Sequence, residues 1–360
     1  MKRIFVNFVM IAIALIAISC EKSGSSSSEE KKTLKEVSIG VFLLCEEGIN
    51  SLDNAKLDYI DYYTENISTD IFSTNNGGKN LGMGVTDISP IPAGNMAITS
   101  DWNNTVTIVN AYGVVQAEEK RPTGYTPQSV CTDTAAFYIG YKEGIIERFS
   151  ESGNSIIGGM ERKEFNVGKP LTEIIYTDGK IFALHGKEIG VYDGLNMKPI
   201  STISFSDEVV KIEIDKYDEL YALTKGSTVA ENRIHRINRK TYQLISTFND
   251  CSVFDFSIGG SDLMFVMSYE KDKDIKVNHY DVKTDEYEGE YLLSFANELT
   301  QPTAIIADPF SSAFWICENN KNGVGMIYLV REHTKIGEFL TGGRTPSKMV
   351  FCTGLIEVIE

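Results

Sequence analysis

Residues 170–205, PLTEIIYTDGKIFALHGKEIGVYDGLNMKPISTISF, show the clearest strand pattern of the chain. They contain four short runs rich in β-branched and aromatic residues, separated by turn residues such as the pair Asp178-Gly179. Short runs of this composition, bounded by Gly, Asp, Asn or Pro, are typical of β-strands. The stretch therefore predicts a unit of four consecutive strands joined by tight turns.

The same unit recurs along the chain. Its first strand is predicted to open near Val85, Gln128, Leu171, Val209, Ser252, Thr303 and Ser347, at intervals of 38 to 51 residues. Four strands at this spacing form one blade of a β-propeller. The sequence thus predicts an all-β fold over residues 37–360, a seven-bladed β-propeller with four-stranded blades.

The seventh opening leaves too few residues for a complete blade, and the N-terminal part of the domain supplies the others. Residues 37–44, 56–63 and 67–72 are predicted strands that lack a first strand of their own. We expect the strand at 348–351 to join them in one blade, because this closure removes the exposed edges of a linear array. A further short strand at 355–359 has no predicted place.

The N-terminus has the pattern of a secretory signal. A basic start precedes an apolar run, residues 4–18, which is too short to span a bilayer. Small residues then lead to Cys20, and this position resembles the bacterial lipobox. The resemblance implies a signal peptide over residues 1–19 and an acylated Cys20. Residues 20–36, rich in Ser, Glu and Lys, are predicted to be a flexible tether between the lipid anchor and the propeller.

The chain is acidic, with 34 Lys and Arg against 50 Asp and Glu and a formal net charge of −16. Such a domain repels phosphates and anionic lipid, so the charge argues against nucleic acid as a partner and against membrane contact other than through the anchor. The cysteines beyond Cys20 are odd in number and lie in apolar runs. This favours small buried side chains over a disulfide framework. They are Cys45, Cys131, Cys251, Cys317 and Cys352.

The strand openings resemble those of YVTN-type propellers, with a Pro before the first strand and a later Asp-Gly turn. The segments LCEEG at 44–48, NAKLDY at 54–59 and NGGKNLG at 76–82 are similar to a family of lipoprotein propellers from anaerobic Gram-negative bacteria. That family has Asn-Glu-Gly where this chain has Glu46-Glu47-Gly48. Its members include surface proteins that capture cobalamin and pass it to a TonB-dependent transporter.

The resemblance implies a lipid-anchored outer-membrane protein that binds a small nutrient, with a corrinoid as the named candidate, and hands it to such a transporter. We expect it at the cell surface, with a periplasm-facing orientation as the alternative. The resemblance covers the whole mature domain, although its motifs are structural turns.

We predict a ligand-binding surface on the face that carries the loops between strands two and three and between strand four and the next blade. Side chains in loops are not needed for packing the core, so they are available to a ligand. Aromatic rings can stack on a flat ligand, and amides can form hydrogen bonds with its polar rim. The predicted ligand-binding residues are Trp102, Tyr125, Tyr141, Tyr269, Asn319, Asn320 and Arg344.

The central channel is the rival site. The residue before the apolar anchor of each opening strand forms a repeat-equivalent set, namely Asp87, Ser129, Lys211, Asp255, Ala304 and Lys348. Two acids and two lysines near one axis are expected to pair with one another, because unpaired charge there would be costly. The two cations also argue against a metal site.

The sequence contains no P-loop, no nucleophile motif and no Cys-x-x-Cys. The four histidines, His185, His235, His279 and His333, are predicted to lie in four different blades, and no pair has the spacing of metal ligands. We therefore predict a binding protein without metal or cofactor rather than an enzyme. The alternatives are a protein-interaction scaffold in an outer-membrane complex and a lactonase-like enzyme, which fold alone does not separate.

Overall fold

A computed structural model describes residues 32–47, 54–150, 161–248, 252–269, 274–291, 293–319 and 323–359. The chain divides into two compact units, residues 36–355 and the two chain ends, residues 1–35 with 356–360. In the second unit the described residues are 32–35 and 356–359, and both segments are extended. The larger unit is a ring of four-stranded antiparallel blades, seven among the described residues.

The first three blades follow one another along the chain. Blade one has the strands Val85–Ile91, Asn95–Ser100, Thr105–Asn110 and Val115–Lys120. Blade two has Pro127–Thr132, Ala136–Tyr141, Ile145–Ser150 and Glu161–Asn166. Blade three has Ile174–Thr177, Lys180–Leu184, Glu188–Asp193 and Pro199–Ser204.

The next three blades repeat the arrangement. Blade four has the strands Glu208–Ile214, Leu220–Lys225, Arg233–Ile237 and Leu244–Phe248. Blade five has Val253–Ile258, Leu263–Ser268, Lys276–Asp281 and Glu286–Glu290. Blade six has Pro302–Ala307, Phe314–Asn319, Gly325–Arg331 and Thr334–Leu340. Within the described residues, short 3-10 helices lie in the connections at Pro92–Gly94, Val229–Glu231 and Ala296–Glu298.

The closing blade joins the two ends of the chain. Its strands, from the inside outward, are Arg344–Ile359, Lys32–Glu47, Lys56–Asp61 and Asn66–Ser68. This confirms the predicted closure, and every predicted opening lies within three residues of an observed first strand. The strand Lys32–Glu47 begins before the predicted domain start at residue 37, because it pairs with the long C-terminal strand.

Two predictions about the closing blade are wrong. The predicted strand at 67–72 ends at Ser68, and an α-helix, Ile71–Asn75, follows it. Asp70 has a φ of 48° and its side chain accepts a hydrogen bond from the backbone N of Ser73, so the strand stops and the helix is capped there. The short strand predicted at 355–359 is the end of Arg344–Ile359 and no separate element.

The core lies between neighbouring blades, where the inward side chains of one sheet pack on the next. Between blades three and four, for example, Phe182, Val191, Ile212 and Ala222 are all buried in one cluster. Cys45, Cys131 and Cys317 are buried free thiols, which confirms the prediction for these three, and Cys352 is a half-buried free thiol. Cys20, Cys251 and the predicted signal peptide lie outside the described residues.

Candidate functional site

The innermost strands of the ring are joined by side-chain acceptors that reach from one blade to the next. In each case an oxygen on one inner strand accepts the backbone N–H of the following inner strand. Val130 donates to Asp87 at 2.9 Å, Ile174 to Ser129 at 3.2 Å, Ile212 to Glu173, Ile258 to Glu213 at 2.7 Å and Ile305 to Asp255 at 3.0 Å. These acceptors satisfy N–H groups that would otherwise be buried without a partner.

The channel lysines are paired, as the sequence predicted. Lys211 Nζ lies 2.9 Å from Asp255 Oδ1 and 3.0 Å from Glu213 Oε1, and it donates to the carbonyl of Phe256. Its charge is therefore neutralised within the protein. Lys348 Nζ is 3.8 Å from Asp87 Oδ1, a looser contact that leaves 41% of the lysine side chain exposed.

A β-bulge interrupts the inner strand of five blades at the same end of the channel. At each bulge one extra residue escapes pairing, and a bulge of this kind re-aims a side chain. The bulged residues are Thr86, Gln128, Val210, Phe254 and Thr303. All five line two cavities at the mouth of the channel, on the face of the loops between strands two and three.

The larger cavity, which we call the mouth cavity, has a volume of about 380 Å³. It is lined by Glu46, Glu173, Val210, Lys211, Leu223, Lys225, Phe254, Asp255, Thr303, Ala304, Ser347 and Lys348. A second cavity of about 110 Å³ lies next to it and shares Glu173, Val210 and Lys348 with it. The larger volume is at the lower end of the range for small-molecule pockets.

Two carboxyl groups of the mouth cavity have raised pKa values. Burial raises the pKa of Glu173 to about 7. The positive charges of Lys348 and Lys211 oppose this rise, and the negative charge of Asp87 adds to it. Burial likewise raises the pKa of Glu46, against the effect of neighbouring Ser347 and Lys348. Near neutral pH, Glu173 therefore exchanges a proton, and the cavity changes charge.

We expect Glu173 to make the protein less stable as pH rises from about 4.5 to about 7. Because its pKa is higher in the folded chain than the ordinary value of 4.5, the folded state binds the proton more tightly, and that advantage is lost as the group ionises. Across this window Glu173→Gln should remove about 1–2 kcal/mol of the pH-dependent change in unfolding free energy. Denaturant unfolding of the wild type and of Glu173→Gln at several pH values measures this difference. If the unfolding free energies of the two proteins change with pH in parallel, Glu173 is not the group responsible.

Trp102 lies in the loop between strands two and three of blade one, on the face of the mouth cavity, and 68% of its surface is exposed. Its neighbour Asp101 is close enough to Glu46, at the mouth cavity, to affect the pKa of that carboxyl. Trp102 is therefore an exposed aromatic side chain on the face that carries the mouth cavity.

Tyr141 is not exposed, contrary to the expectation. It is the last residue of a strand, is completely buried, and donates its hydroxyl to the buried carboxylate of Glu147. Tyr125 is half-buried; its ring covers the guanidinium of Arg121 at 5.0 Å, and its hydroxyl donates to Glu164. Both tyrosines enclose a buried ion-pair network between blades one and two, so packing explains their position.

Of the remaining predicted residues, Tyr269 and Asn319 have structural contacts. Tyr269 meets the ring of Phe254 edge-on at 5.6 Å and so supports a wall of the mouth cavity. Asn319 accepts the backbone N–H of Thr345, whose φ of 52° is unusual for a β-branched residue. Arg344 is half-buried at the start of the closing inner strand. Asn320 lies outside the described residues.

Glu46, Glu173 and Phe254 were missed as site residues by the sequence reasoning. Glu173 precedes the apolar Ile174 just as Asp87 precedes Ile88, so the repeat itself held the signal that places it in the channel set. No comparable signal marks Phe254, because a bulge is not visible in the strand pattern.

The histidines lie in blades three to six, one in each, as predicted. The rings of His279 and His333 are 6.3 Å apart, and Tyr291 stacks on His333 at 4.0 Å. Across the described ranges, no group of three His, Cys, Asp or Glu side chains converges in a way that would hold a metal ion. In the same part of the chain, no helix is long and apolar enough to cross a membrane.

No family model matches the chain, and no curated protein gives a significant match. Solved structures do match. The β-propeller domain of Cps50 (Swd1) from Myceliophteria thermophila is 11% identical, with a TM-score of 0.56 over 77% of this chain and 91% of that one. A virginiamycin B lyase from Staphylococcus aureus is 13% identical, with a TM-score of 0.56 over 84% of this chain and 100% of that one.

The Pan2 WD40 domain from Neurospora crassa is also similar, at 10% identity and a TM-score of 0.53, over 71% of this chain and 78% of that one. At such identities the likeness shows the fold alone. The chain is thus a seven-bladed β-propeller closed by its two ends, a fold that suits a binding or scaffold role.

Proposed function

We propose that this propeller is a binding protein that captures a small molecule at the mouth of its central channel. The observation that carries the proposal is the set of bulges, since five blades each turn one side chain into the same pair of cavities. Bulges are over-represented beside functional sites, where they re-aim side chains. The exposed indole of Trp102 on the same face offers a stacking surface next to the mouth cavity.

The N-terminal sequence extends the proposal to the cell envelope. Acylation at Cys20 and a tether over residues 20–36 would hold the propeller at the outer membrane, and a TonB-dependent transporter would receive the captured nutrient. The resemblance to cobalamin-capturing lipoproteins makes a corrinoid the first ligand to test. A mouth cavity of about 380 Å³ is small for such a ligand, so a corrinoid would lie across the face and contact Trp102.

Calorimetric titration with cyanocobalamin tests the corrinoid version. We expect saturable binding that Trp102→Ala weakens about tenfold, because a stacked aromatic contributes on the order of 1 kcal/mol beyond its buried area. The control is Tyr63→Ala, since Tyr63 is 92% exposed in a turn on the opposite face. Absence of binding by the wild type would overturn the corrinoid version.

The broader proposal has its own test. The purified protein is incubated with the low-molecular-weight fraction of growth medium, washed and analysed for retained compounds by mass spectrometry. Val210→Trp is designed to fill both cavities, because Val210 lines each of them. Retention by the wild type and by Tyr63→Ala, but not by Val210→Trp, supports capture at the mouth. Failure of the wild type to retain any compound would contradict it.

A further inference from the structure

The outer strand of each blade is an exposed sheet edge, and most of these edges carry features that block pairing with another chain. Charged residues stand in the outer strands of blades one, two, five and six, which are Val115–Lys120, Glu161–Asn166, Glu286–Glu290 and Thr334–Leu340. The outer strand of the closing blade, Asn66–Ser68, has only three residues. Charged side chains and short length both protect a strand against edge-to-edge association.

Blades three and four lack this protection. Their outer strands, Pro199–Ser204 and Leu244–Phe248, contain no charged residue, and the proline occupies only the first position of its strand. The side chains of Ile200, Leu244 and Ile245 are between 46% and 57% exposed. Two neighbouring blades therefore present apolar side chains beside strand edges that nothing in their own sequence shields.

The groove between these two strands is uncharged as well. It has a volume of about 390 Å³, its walls include Phe205 and Tyr242, and no acid, lysine or arginine of the described ranges lines it. His235, in the same wall, has both ring nitrogens hydrogen-bonded, to the hydroxyls of Thr224 at 2.9 Å and Thr247 at 3.1 Å. The groove therefore suits an apolar protein surface better than a charged ligand. We call the two strands and this groove the neutral edge.

The charge of the chain indicates which protein fits this surface. With a formal net charge of −16, two copies repel each other wherever their acidic surfaces meet. In a two-fold dimer the same surface of both copies is in contact, so a charged edge would bring like charges together. The neutral edge avoids this repulsion. A basic partner, in contrast, would be attracted to the acidic remainder of the surface.

We infer that two copies of this chain associate about a two-fold axis through their neutral edges. The surface is self-complementary in chemistry, since apolar side chains meet apolar side chains and no charge is buried. The residues of Pro199–Ser204 and Leu244–Phe248 do not line the cavities at the channel mouth. The dimer therefore leaves the mouth of each propeller open, and the inference is independent of the proposed ligand capture.

Sedimentation velocity of the purified protein at increasing concentration tests the inference. We expect a dimer at micromolar concentration. Thr202→Glu and Leu244→Glu should each weaken dimerisation about tenfold or more, because each change brings two like charges into the contact. Both positions are exposed, so the variants should fold normally. The matched control is Gln116→Glu, the same kind of change at an exposed position in the outer strand of blade one, which should leave the dimer intact.

The response to salt gives a second readout. Added salt should strengthen the dimer, because it screens the repulsion between two acidic chains while the apolar contact remains. A wild type that stays monomeric at high micromolar concentration overturns the inference. So does a dimer that both Thr202→Glu and Leu244→Glu leave unchanged, or one that Gln116→Glu weakens equally. Dissociation of the dimer by salt would also overturn it, since that would indicate a contact made by ion pairs.

Discussion

Replacing Glu147 by alanine should lower the free energy of unfolding by about 3–5 kcal/mol, the largest effect we expect from a single change. Glu147 is completely buried in the third strand of blade two. Its carboxylate accepts from Arg121 at 2.6 Å and from Arg162 at 2.6 and 2.8 Å, and Tyr141 donates its hydroxyl to the other oxygen. Alanine would leave two guanidinium groups and a hydroxyl without this acceptor.

Denaturant unfolding measures this effect. Arg121 is 6% exposed and lies in the loop that joins blades one and two, so loss of Glu147 leaves two guanidinium groups, those of Arg121 and Arg162, with the single carboxylate of Glu119. The matched control is Glu161→Ala in the adjacent outer strand, where an exposed pair with Lys163 at 3.2 Å should contribute less than about 1 kcal/mol. Glu147→Gln keeps an acceptor for Tyr141 and should fall between the two. Equal losses for Glu147→Ala and Glu161→Ala would contradict the assignment.

Replacing Asp58 by alanine should lower the free energy of unfolding by about 2–4 kcal/mol, because it removes a carboxylate that links the two sides of the ring closure. We call this carboxylate, with the backbone N–H groups of Asp70 and Gly342 that it accepts, the latch. Asp58 is completely buried in the strand Lys56–Asp61. Its two oxygens accept the backbone N–H of Asp70 at 2.8 Å and that of Gly342 at 2.7 Å. Gly342 lies in the connection between blade six and the inner strand of the closing blade, so one carboxylate holds both sides of the closure.

Asp61→Ala provides the matched control for the latch. Asp61 ends the same strand and also accepts two backbone N–H groups, from Tyr63 at 2.8 Å and Thr64 at 3.0 Å, but in an exposed turn. Water replaces those bonds when the carboxylate is removed, so the loss should stay near or below 1 kcal/mol. Unfolding free energies that fall equally for both aspartates would show that burial of the latch is unimportant.

The latch also bears on the binding face. The connection held by Asp58 leads directly into the strand Arg344–Ile359, which carries Ser347 and Lys348 into the mouth cavity. Burial raises the pKa of Asp58 to about 6. Because this connection positions Ser347 and Lys348, we expect variants that weaken the latch to weaken ligand capture as well, even though Asp58 does not line the cavity.

The repeat in the sequence determined the architecture. Period-two strands that recur every 38 to 51 residues admit few arrangements other than blades, and the missing first strand at the N-terminus required closure by the C-terminus. The pairing of Lys211 with an acid of the channel followed from the same repeat, because equivalent positions of successive inner strands meet at one axis.

The tertiary structure alone decided which polar and aromatic residues are available to a ligand. Trp102 and Tyr141 both stand where strand two meets the following loop, yet one is 68% exposed and the other completely buried. The difference lies in what packs against each position: Glu147 on the neighbouring strand of the same blade and Arg121 in the connection between blades one and two form a buried network against Tyr141. Likewise, the bulge that turns Phe254 into the mouth cavity depends on the register between two strands. The residues next to Phe254 in the sequence do not determine that register.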